Sequence, residues 1–543
     1  SGEMWRRRIV EAALAARAEH GMLAGLALLW RYADPTDYRR MLDAFAEALS
    51  ATEPELAREC VMLGLAFDPS ERRLRQIARR LFQWGQLGPA GELIADVANL
   101  PDSKAIGELR FALGLRRELE TLLPSRGAAP LAGPEGGVAY VASSALPEVV
   151  SGYTTRTQSL LSALAATGER VTCHTRPGFP WDRDGAPPNA EFAEEIRVGP
   201  IDYVRSPAPP VQADPGGHMR ASADALIAHF RADPPAIVHA ASNYRNALPA
   251  LIAARAIGAA FIYEVRGFWE LSTASRTAGW EETERFAFER DMEHFVVNEA
   301  DLVLTITEAV RAELLPNVRE GARARVLSNG VDPERFRPMP RDESLAAELG
   351  IEQGDITLVY AGSLVEYEGL DDVIAAIGLL RERDVPARLI IVGDGRCRAA
   401  LERQIAEAGL GDRVRLTGRV APDDVLAYLA LADIVPIVRK LRRVCELVSP
   451  LKPFEAMAME KVVIASDLPA LAEIVEDGTR GRLCRPEDPA HLAALIEELH
   501  ADPALRATLG RAAREWVIAE RSWTAHAREL AEIYREIRAG VEK

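Results

Sequence analysis

The 543-residue chain has few cysteines, no long apolar run and too little positive charge to balance its acids, and each shortage removes a class of function. Its five cysteines (Cys60, Cys173, Cys397, Cys445, Cys484) are scattered, odd in number and free of any CxxC or Cys/His cluster. They read as buried thiols of a reducing compartment, not as a disulfide or zinc framework. No stretch approaches the roughly 20 apolar residues that a membrane span needs. The opening Ser1-Gly2-Glu3-Met4 lacks the apolar core of a signal peptide, and its first two residues look like a scar of tag removal. The expected location is the cytoplasm, with peripheral attachment to an inner membrane left open. A formal charge of −16 repels nucleic acid and anionic lipid as main partners. What remains, 48% apolar and 27% charged residues, is ordinary for a soluble globular protein. At roughly 150 residues per domain the length calls for three or four units.

From Met4 to about Leu123 the pattern is helical throughout, rich in Ala, Leu, Glu and Arg with apolar residues at helical spacing. The stretch AFDPSERRLRQIARRLFQWGQLGPAGELIADVANLPDS, Ala66 to Ser103, divides at Asp-Pro and Leu-Gly-Pro stops. It suits stacked helical hairpins and loosely resembles tetratricopeptide repeats, either as a cap on the rest of the chain or as a surface for a protein partner. Residues 1–125 are therefore expected to form an all-helical extension. Residues 126–137, within PSRGAAPLAGPEGG, form a linker.

Short β-branched runs then alternate with amphipathic helices: VAYVASS at Val138, VTCHT at Val171, AIVHAAS at Ala236, AFIYEVRG at Ala260, ADLVLTIT at Ala300 and ARVLSNG at Ala324. A second series follows with ITLVYAG at Ile356, RLIIVGDG at Arg388, RVRLTG at Arg413, ADIVPIV at Ala432 and KVVIASD at Lys461. The alternation predicts βαβ units and two parallel sheets, over 138–337 and 338–520. Two doubly wound sheets in one chain leave a cleft facing the carboxyl ends of their strands, where ligands of such sheets bind. Residues 521–543 form a last helix expected to cross back to the first sheet domain.

The sharpest motif is SPLKPFEAMAMEKVVIASD, Ser449 to Asp467. Its prolines keep the approach extended and then start a helix, so Glu455 lies in the first turn. Amides at that positive helix end suit a diphosphate, with Lys452 as a mobile point charge. Glu455 either accepts hydrogen bonds from two ribose hydroxyls or only favours the helix dipole. YAGSLVEYEGLDDVIAAI enters a helix through Gly362 and Gly369, turns that let a backbone approach a phosphate closely. VRKLRRV, Val438 to Val444, is either a solvated face or, at the end of a central strand, a source of phosphate-neutralising charge through Arg439, Lys440 or Arg443. In the first domain SSALPEVVSGYTTRTQSLL supplies a strand–loop–helix turn at Gly152. YEVRGFWE sets Arg266 between Glu264 and Glu270, as a static ion network or as an acceptor-binding group. His239 in HAASNYRNALP is a further candidate, a satisfied core histidine being the commoner case.

Together these motifs resemble retaining glycosyltransferases of family four, with the GT-B fold, over nearly everything from Val138 to about Tyr534. VLSNGVDPERFRP is similar to the family's interdomain signature, and AGSLVEYEGLDD, GDGRCRAALE, DRVRLTGRV and SPLKPFEAMAM follow in the family's order. The resemblance implies an α/β GT-B fold of two facing Rossmann-like domains behind an all-α helical-hairpin domain. It also implies a donor site in which Glu455 holds the ribose and amides at Leu451 and Lys452 hold the diphosphate. Gly362 and Ser363 would lie over the sugar-phosphate, Arg419 and Val420 would flank the base, and Gly152 would face the phosphates from the first domain. Arg266, Glu270 and His239 are the expected catalytic candidates.

Three departures stand out. The family's usual Arg and Lys of the phosphate turn are replaced by Ser363 and Glu368, the first glutamate of its paired-glutamate motif falls on Leu447, and a common His appears as Arg266. The YEGLDD and LVSPLKPFEAMA forms look like a subgroup associated with bacterial surface polysaccharides. Arg439, Lys440, Arg443 and Lys452 are expected to replace the missing cations. The implied reaction moves a sugar from a nucleoside diphosphate to a hydroxyl of a saccharide, lipid-linked or protein acceptor. No Asp-x-Asp motif stands where a metal-dependent transferase needs one, so neither metal nor other cofactor is expected. The rival reading is a nucleotide-sugar-binding scaffold acting through its helical domain.

Overall fold

The computed structural model describes residues 2–32, 35–95, 104–125, 129–133, 135–183, 186, 191–207, 215–319 and 323–541. The chain divides into two compact units. The first comprises Ser1–Pro124, Pro209–Ala223 and Trp269–Phe295, so it takes in segments that the sequence series assigns to the first sheet domain. Among the described residues its amino-terminal part is seven helices: α1 (Gly2–His20), α2 (Met22–Tyr32), α3 (Pro35–Leu49), α4 (Pro54–Leu65), α5 (Glu71–Gln83), α6 (Leu87–Ala95) and α7 (Lys104–Leu122).

Helix α5 shows why this sequence is helical. Ser70 caps it by accepting from the Arg73 amide, Ile77, Ala78, Leu81 and Phe82 form its buried face, and Arg73 reaches from that face to Asp43 at 2.9 Å. The Leu-Gly-Pro expected to stop a helix instead opens α6. Pro89 sits in the first turn, where no intrahelical partner for its nitrogen is needed, and the Gly88 amide donates to Glu284 at 2.7 Å.

The second unit carries both sheets. The first sheet contains β1 (Gly137–Ala142), β2 (Val171–Thr175), β3 (Glu195–Val198), β4 (Ile201–Val204), β5 (Pro235–Ala241), β6 (Ala260–Val265), β7 (Leu302–Thr305) and β8 (Ala324–Val326). Its order is β3-β4-β2-β1-β5-β6-β7-β8, parallel except for the β3–β4 hairpin at one edge. That hairpin is absent from the sequence reading because its four-residue strands carry alternating polar residues, EIRV and IDYV, of an exposed edge. The second sheet contains β9 (Ile356–Ala361), β10 (Ala387–Val392), β11 (Val414–Gly418), β12 (Ile434–Ile437), β13 (Val462–Ser466) and β14 (Arg482–Cys484), in the order β11-β10-β9-β12-β13-β14. The three-residue β14 was not anticipated either.

The helices that follow the strands of the first sheet in sequence are α8 (Gly152–Ala166), α9 (Pro215–Ala232), α10 (Tyr244–Ile257), α11 (Trp269–Ala274), α12 (Glu284–Glu299) and α13 (Glu308–Leu314), of which α11, most of α12 and the start of α9 belong to the first unit. Those of the second are α14 (Glu343–Glu348), α15 (Leu370–Glu382), α16 (Arg398–Glu407), α17 (Val425–Leu431), α18 (Arg443–Leu447), α19 (Lys452–Ala458), α20 (Pro469–Val475), α21 (Pro489–Ala501) and α22 (Pro503–Glu520), before the final α23 (Trp523–Val541). Trp523, Ala527, Leu530 and Tyr534 form one stripe of α23 at helical spacing, and that stripe lies in the core of the first sheet with Leu160, Leu161 and Leu164 of α8. No helix of the described residues is long and apolar enough to cross a membrane.

Candidate functional site

Each sheet has one point where the chain's progress reverses. In the first sheet β1 has β2 on one side and β5 on the other, and in the second β9 has β10 and β12. Loops leaving such strands diverge and leave a crevice at their carboxyl ends. The loop after β1 leads to Gly152, the loop after β9 holds Gly362 and Ser363, and the loop after β12 holds Arg439. Gly152 opens α8 behind a reciprocal cap, in which Ser151 Oγ accepts from the Thr154 amide and Thr154 Oγ1 accepts from the Ser151 amide. A methyl group on Gly152 would stand 3.8 Å from Leu451 Cδ1, so the turns of the two halves face each other at contact distance.

The Gly362 turn has room for a side chain only if Lys452 shifts. With φ at +156°, an added Cβ would lie 2.5 Å from Lys452 Cε and 2.9 Å from its Nζ. Lys452, first residue of α19, is held under this turn: Nζ donates to Tyr360 at 2.7 Å and to Glu368 at 2.8 Å, and sits 4.4 Å from the Tyr360 ring centroid. Tyr360 in turn donates to the Ser363 carbonyl at 2.9 Å, while Ser363 itself is exposed. The other oxygen of Glu368 accepts from Arg439 Nη2 at 2.7 Å, and Arg439 Nη1 reaches the Val448 carbonyl at 3.0 Å. Burial by itself would raise the Glu368 carboxyl, but Arg439 and Lys452 outweigh it and hold the group at about 2. Burial pulls the Lys452 ammonium below its ordinary value, with Glu368 opposing that shift.

The four expected phosphate cations therefore divide into two kinds. Arg439 and Lys452 converge on Glu368 beside the Gly362 turn. Lys440 is bound instead to Asp371 at 2.8 Å and Asp372 at 2.7 Å, and exposed Arg443 to Glu313 and, at 2.9 Å, to Glu446. Those two cations are already neutralised. Glu455 is half-buried in the first turn of α19, its carboxyl raised by burial and lowered in part by Lys452 and Arg335. Arg419 is exposed, and its neighbour Val420 half-buried, just beyond the end of β11.

In the first half the expected candidates gather around Glu264 instead of around an open pocket. Glu264 is fully buried and accepts from Arg156 Nε at 2.7 Å, from Arg266 Nη2 at 3.3 Å and from Tyr140. His239, also fully buried, is 3.4 Å from Glu264 through Nε2 and 2.7 Å from the Tyr534 hydroxyl of α23 through Nδ1. Arg266 further donates to Thr157 Oγ1 at 2.8 Å and lies over the Tyr153 ring at 4.5 Å. His239 is thus enclosed, with no surface of its ring exposed. Arg266 is buried in the same way. Glu270 belongs to the helical unit, where burial first and Glu293 second push its carboxyl up to about 8.

Sequence reasoning missed Arg156, Tyr140 and Asn329. Arg156 carries the Glu264 cluster into the segment between the sheets, donating to the carbonyls of Leu327 at 2.8 Å and Ser328 at 2.7 Å and to Asn329 Oδ1 at 3.1 Å. Asn329 then donates to the Ser449 carbonyl at 2.8 Å, two residues before Leu451. Thr307 adds a second tie, donating to the Leu447 carbonyl at 2.6 Å. The available signal for Arg156 was its place four residues after Gly152, one helical turn beyond the loop expected to face the phosphates.

A family model described as Glycosyl transferase 4-like domain matches residues 151–330, and one described as Glycosyl transferases group 1 matches residues 342–516. A glycogen synthase of Mycobacterium tuberculosis (strain CDC 1551 / Oshkosh) is 26% identical over 408 residues, covering 73% of this chain and 93% of that protein. The sucrose-phosphate synthase structure from Thermosynechococcus elongatus superposes with a TM-score of 0.62 at 21% identity, over 75% of this chain and all of that one. An Anabaena protein, HepE, solved with UDP and glucose, gives a TM-score of 0.55 at 18% identity over 73% of this chain and 99% of its own. One glycosyltransferase model thus matches each sheet half, and the likeness over both halves is that of a GT-B fold.

Proposed function

We propose that the protein transfers a sugar from a nucleoside-diphosphate sugar to a hydroxyl acceptor with retention at the anomeric carbon, without a metal. The observation that carries this reading is the approach of Gly152 to Leu451, which brings the amide-rich starts of α8 and α19 together. Amides at those helix ends, with Lys452 and Arg439, stabilise the departing diphosphate. Glu455 takes the ribose hydroxyls, Gly362 and Ser363 lie along the sugar-phosphate, and Arg419 and Val420 flank the base. Arg266 and His239 act through Glu264, holding the Arg156–Asn329–Ser449 tie that fixes the α19 loop.

The acceptor is a saccharide, lipid-linked or protein hydroxyl in bacterial surface polysaccharide, glycolipid or glycoprotein synthesis, worked on at the cytoplasmic side of the inner membrane. The helical unit presents that acceptor or a protein partner. Support comes from the glycogen synthase likeness, whose product is a polysaccharide, and from the UDP and glucose held by the Anabaena protein.

The test is thermal stabilisation of the full chain across UDP, GDP, ADP and CMP sugars, because a ligand that binds only the folded state raises its transition. One nucleotide class is expected to raise the midpoint, and its sugar to appear on an acceptor with unchanged anomeric configuration by NMR in excess chelator. No shift with any of them points to the scaffold reading instead. Inversion of configuration would refute retention, and loss of turnover in chelator would refute metal independence.

A further inference from the structure

The cluster under the Gly362 turn contains a carboxylate that a phosphate site does not call for. Glu368 is 4% exposed and is gripped at both oxygens, by Arg439 from the end of β12 and by Lys452 from the start of α19. An ammonium has three N–H donors. For Lys452 two of them are spent on Tyr360 and Glu368, and the side chain keeps 20% of its surface exposed. One donor is therefore left for a ligand oxygen, and its direction is set by the other two. Without the carboxylate the same ammonium would end a flexible four-carbon stem, free to sample many positions beneath the turn.

The geometry points to Glu368 as a positioning residue for the donor's phosphates: a buried counter-ion that aims Lys452 and Arg439, so that the charge facing the leaving group comes from α19 and β12 and not from the Gly362 turn. This rests on the reading of the cleft as a nucleoside-diphosphate site and adds how that site is organised. The trade is specific. Two cations and one carboxylate leave the cluster with a net charge of +1, weaker attraction for a free diphosphate than two unopposed cations would exert. In return the ammonium is already in place when charge develops on the departing oxygen, and stabilisation of that kind acts on the chemical step.

The test compares E368Q and E368D with wild type in the full chain. Diphosphate affinity is measured with UDP, GDP and ADP, and turnover as release of nucleoside diphosphate from the sugar nucleotide that most stabilises wild type. For E368Q the expected result is a diphosphate Kd unchanged or up to tenfold tighter, because the cluster gains net positive charge, together with a fall in kcat of at least tenfold. E368D, which keeps the charge but draws it back by one methylene, is expected to fall between wild type and E368Q in kcat and to keep the wild-type Kd. A residue that only supports the fold would lower the melting temperature and leave this split between Kd and kcat unmoved. Wild-type kcat in a folded E368Q, or in E368D should E368Q not fold, overturns the proposal. The underlying site reading fails differently: K452A would then bind every diphosphate as wild type does. Weakened binding in K452A with full kcat in E368Q refutes the positioning role and leaves the site standing.

Discussion

Glu264→Gln is the substitution with the largest worked consequence. Glu264 is wholly buried, and the side chains of Arg156 and Arg266 bonded to it are only 3% and 6% exposed. Glutamine keeps the volume and one acceptor, but two buried guanidiniums lose the only carboxylate recorded against them among the described residues. Removing one partner of a buried ion pair costs about 3–5 kcal/mol, because the charge left behind remains desolvated. At about 2 °C per kcal/mol, the figure for larger domains, the melting midpoint should fall by roughly 6–10 °C. Arg156 is also the link through Asn329 to Ser449, so diphosphate binding should weaken along with stability. Scanning calorimetry over pH 3 to 8 supplies the check. Burial would raise the Glu264 carboxyl, yet Arg156 and Arg266 hold it well below its usual 4.5. The contribution is therefore present above about 4.5 and lost as the pH falls through the lower folded value. The gap between wild type and E264Q should stay constant from pH 6 to 8 and shrink only in acid. A midpoint within about 2 °C of wild type at pH 7 would refute the account of Glu264 as the charge holding this cluster.

Four further outcomes are expected. K452A should weaken diphosphate binding at least tenfold, whereas K440A and R443A should change it less than twofold, since Asp371, Asp372, Glu313 and Glu446 already occupy those cations; isothermal titration measures all three. Gly393→Ala should destabilise more than Gly362→Ala, because its Cβ would fall 1.9 Å from the Gly362 carbonyl oxygen, a backbone atom, while Gly362→Ala meets a movable lysine and shows as lost ligand binding. Tyr534→Phe strips the hydroxyl from His239 Nδ1 and leaves a buried ring nitrogen without a partner, at a cost of about 1–3 kcal/mol in thermal unfolding. In the helical unit the Glu270 carboxyl, pushed up to about 8, binds a proton that the unfolded chain releases near 4.5, so stability falls as pH rises between those values; E270Q should flatten that profile and raise the midpoint at pH 8.

The parts of this molecule legible in its sequence are those whose physics is local. β-Branched runs between helix signals marked eleven strands of the two sheets, and turn chemistry marked Gly152, Gly362, Lys452 and Glu455. Of the strands left out, β3 and β4 are four-residue runs broken by polar residues, and β14 is only three residues long. The ion clusters were hidden for a different reason. Arg156 and Glu264 are 108 positions apart, Arg439 and Glu368 71, and Lys452 and Glu368 84.

Nothing in VRKLRRV distinguishes its cations from one another, and only the sheet does so. Arg439, two residues past the end of β12, is buried with its strand and turns to Glu368. Lys440 and Arg443 lie further along, within reach of acids on α15, α13 and α18. A Glu where the family resemblance leads one to expect a Lys reads, in one dimension, as a lost phosphate contact. In three dimensions it is a carboxylate with a cation on each oxygen, and the lysine it holds comes from the first turn of α19.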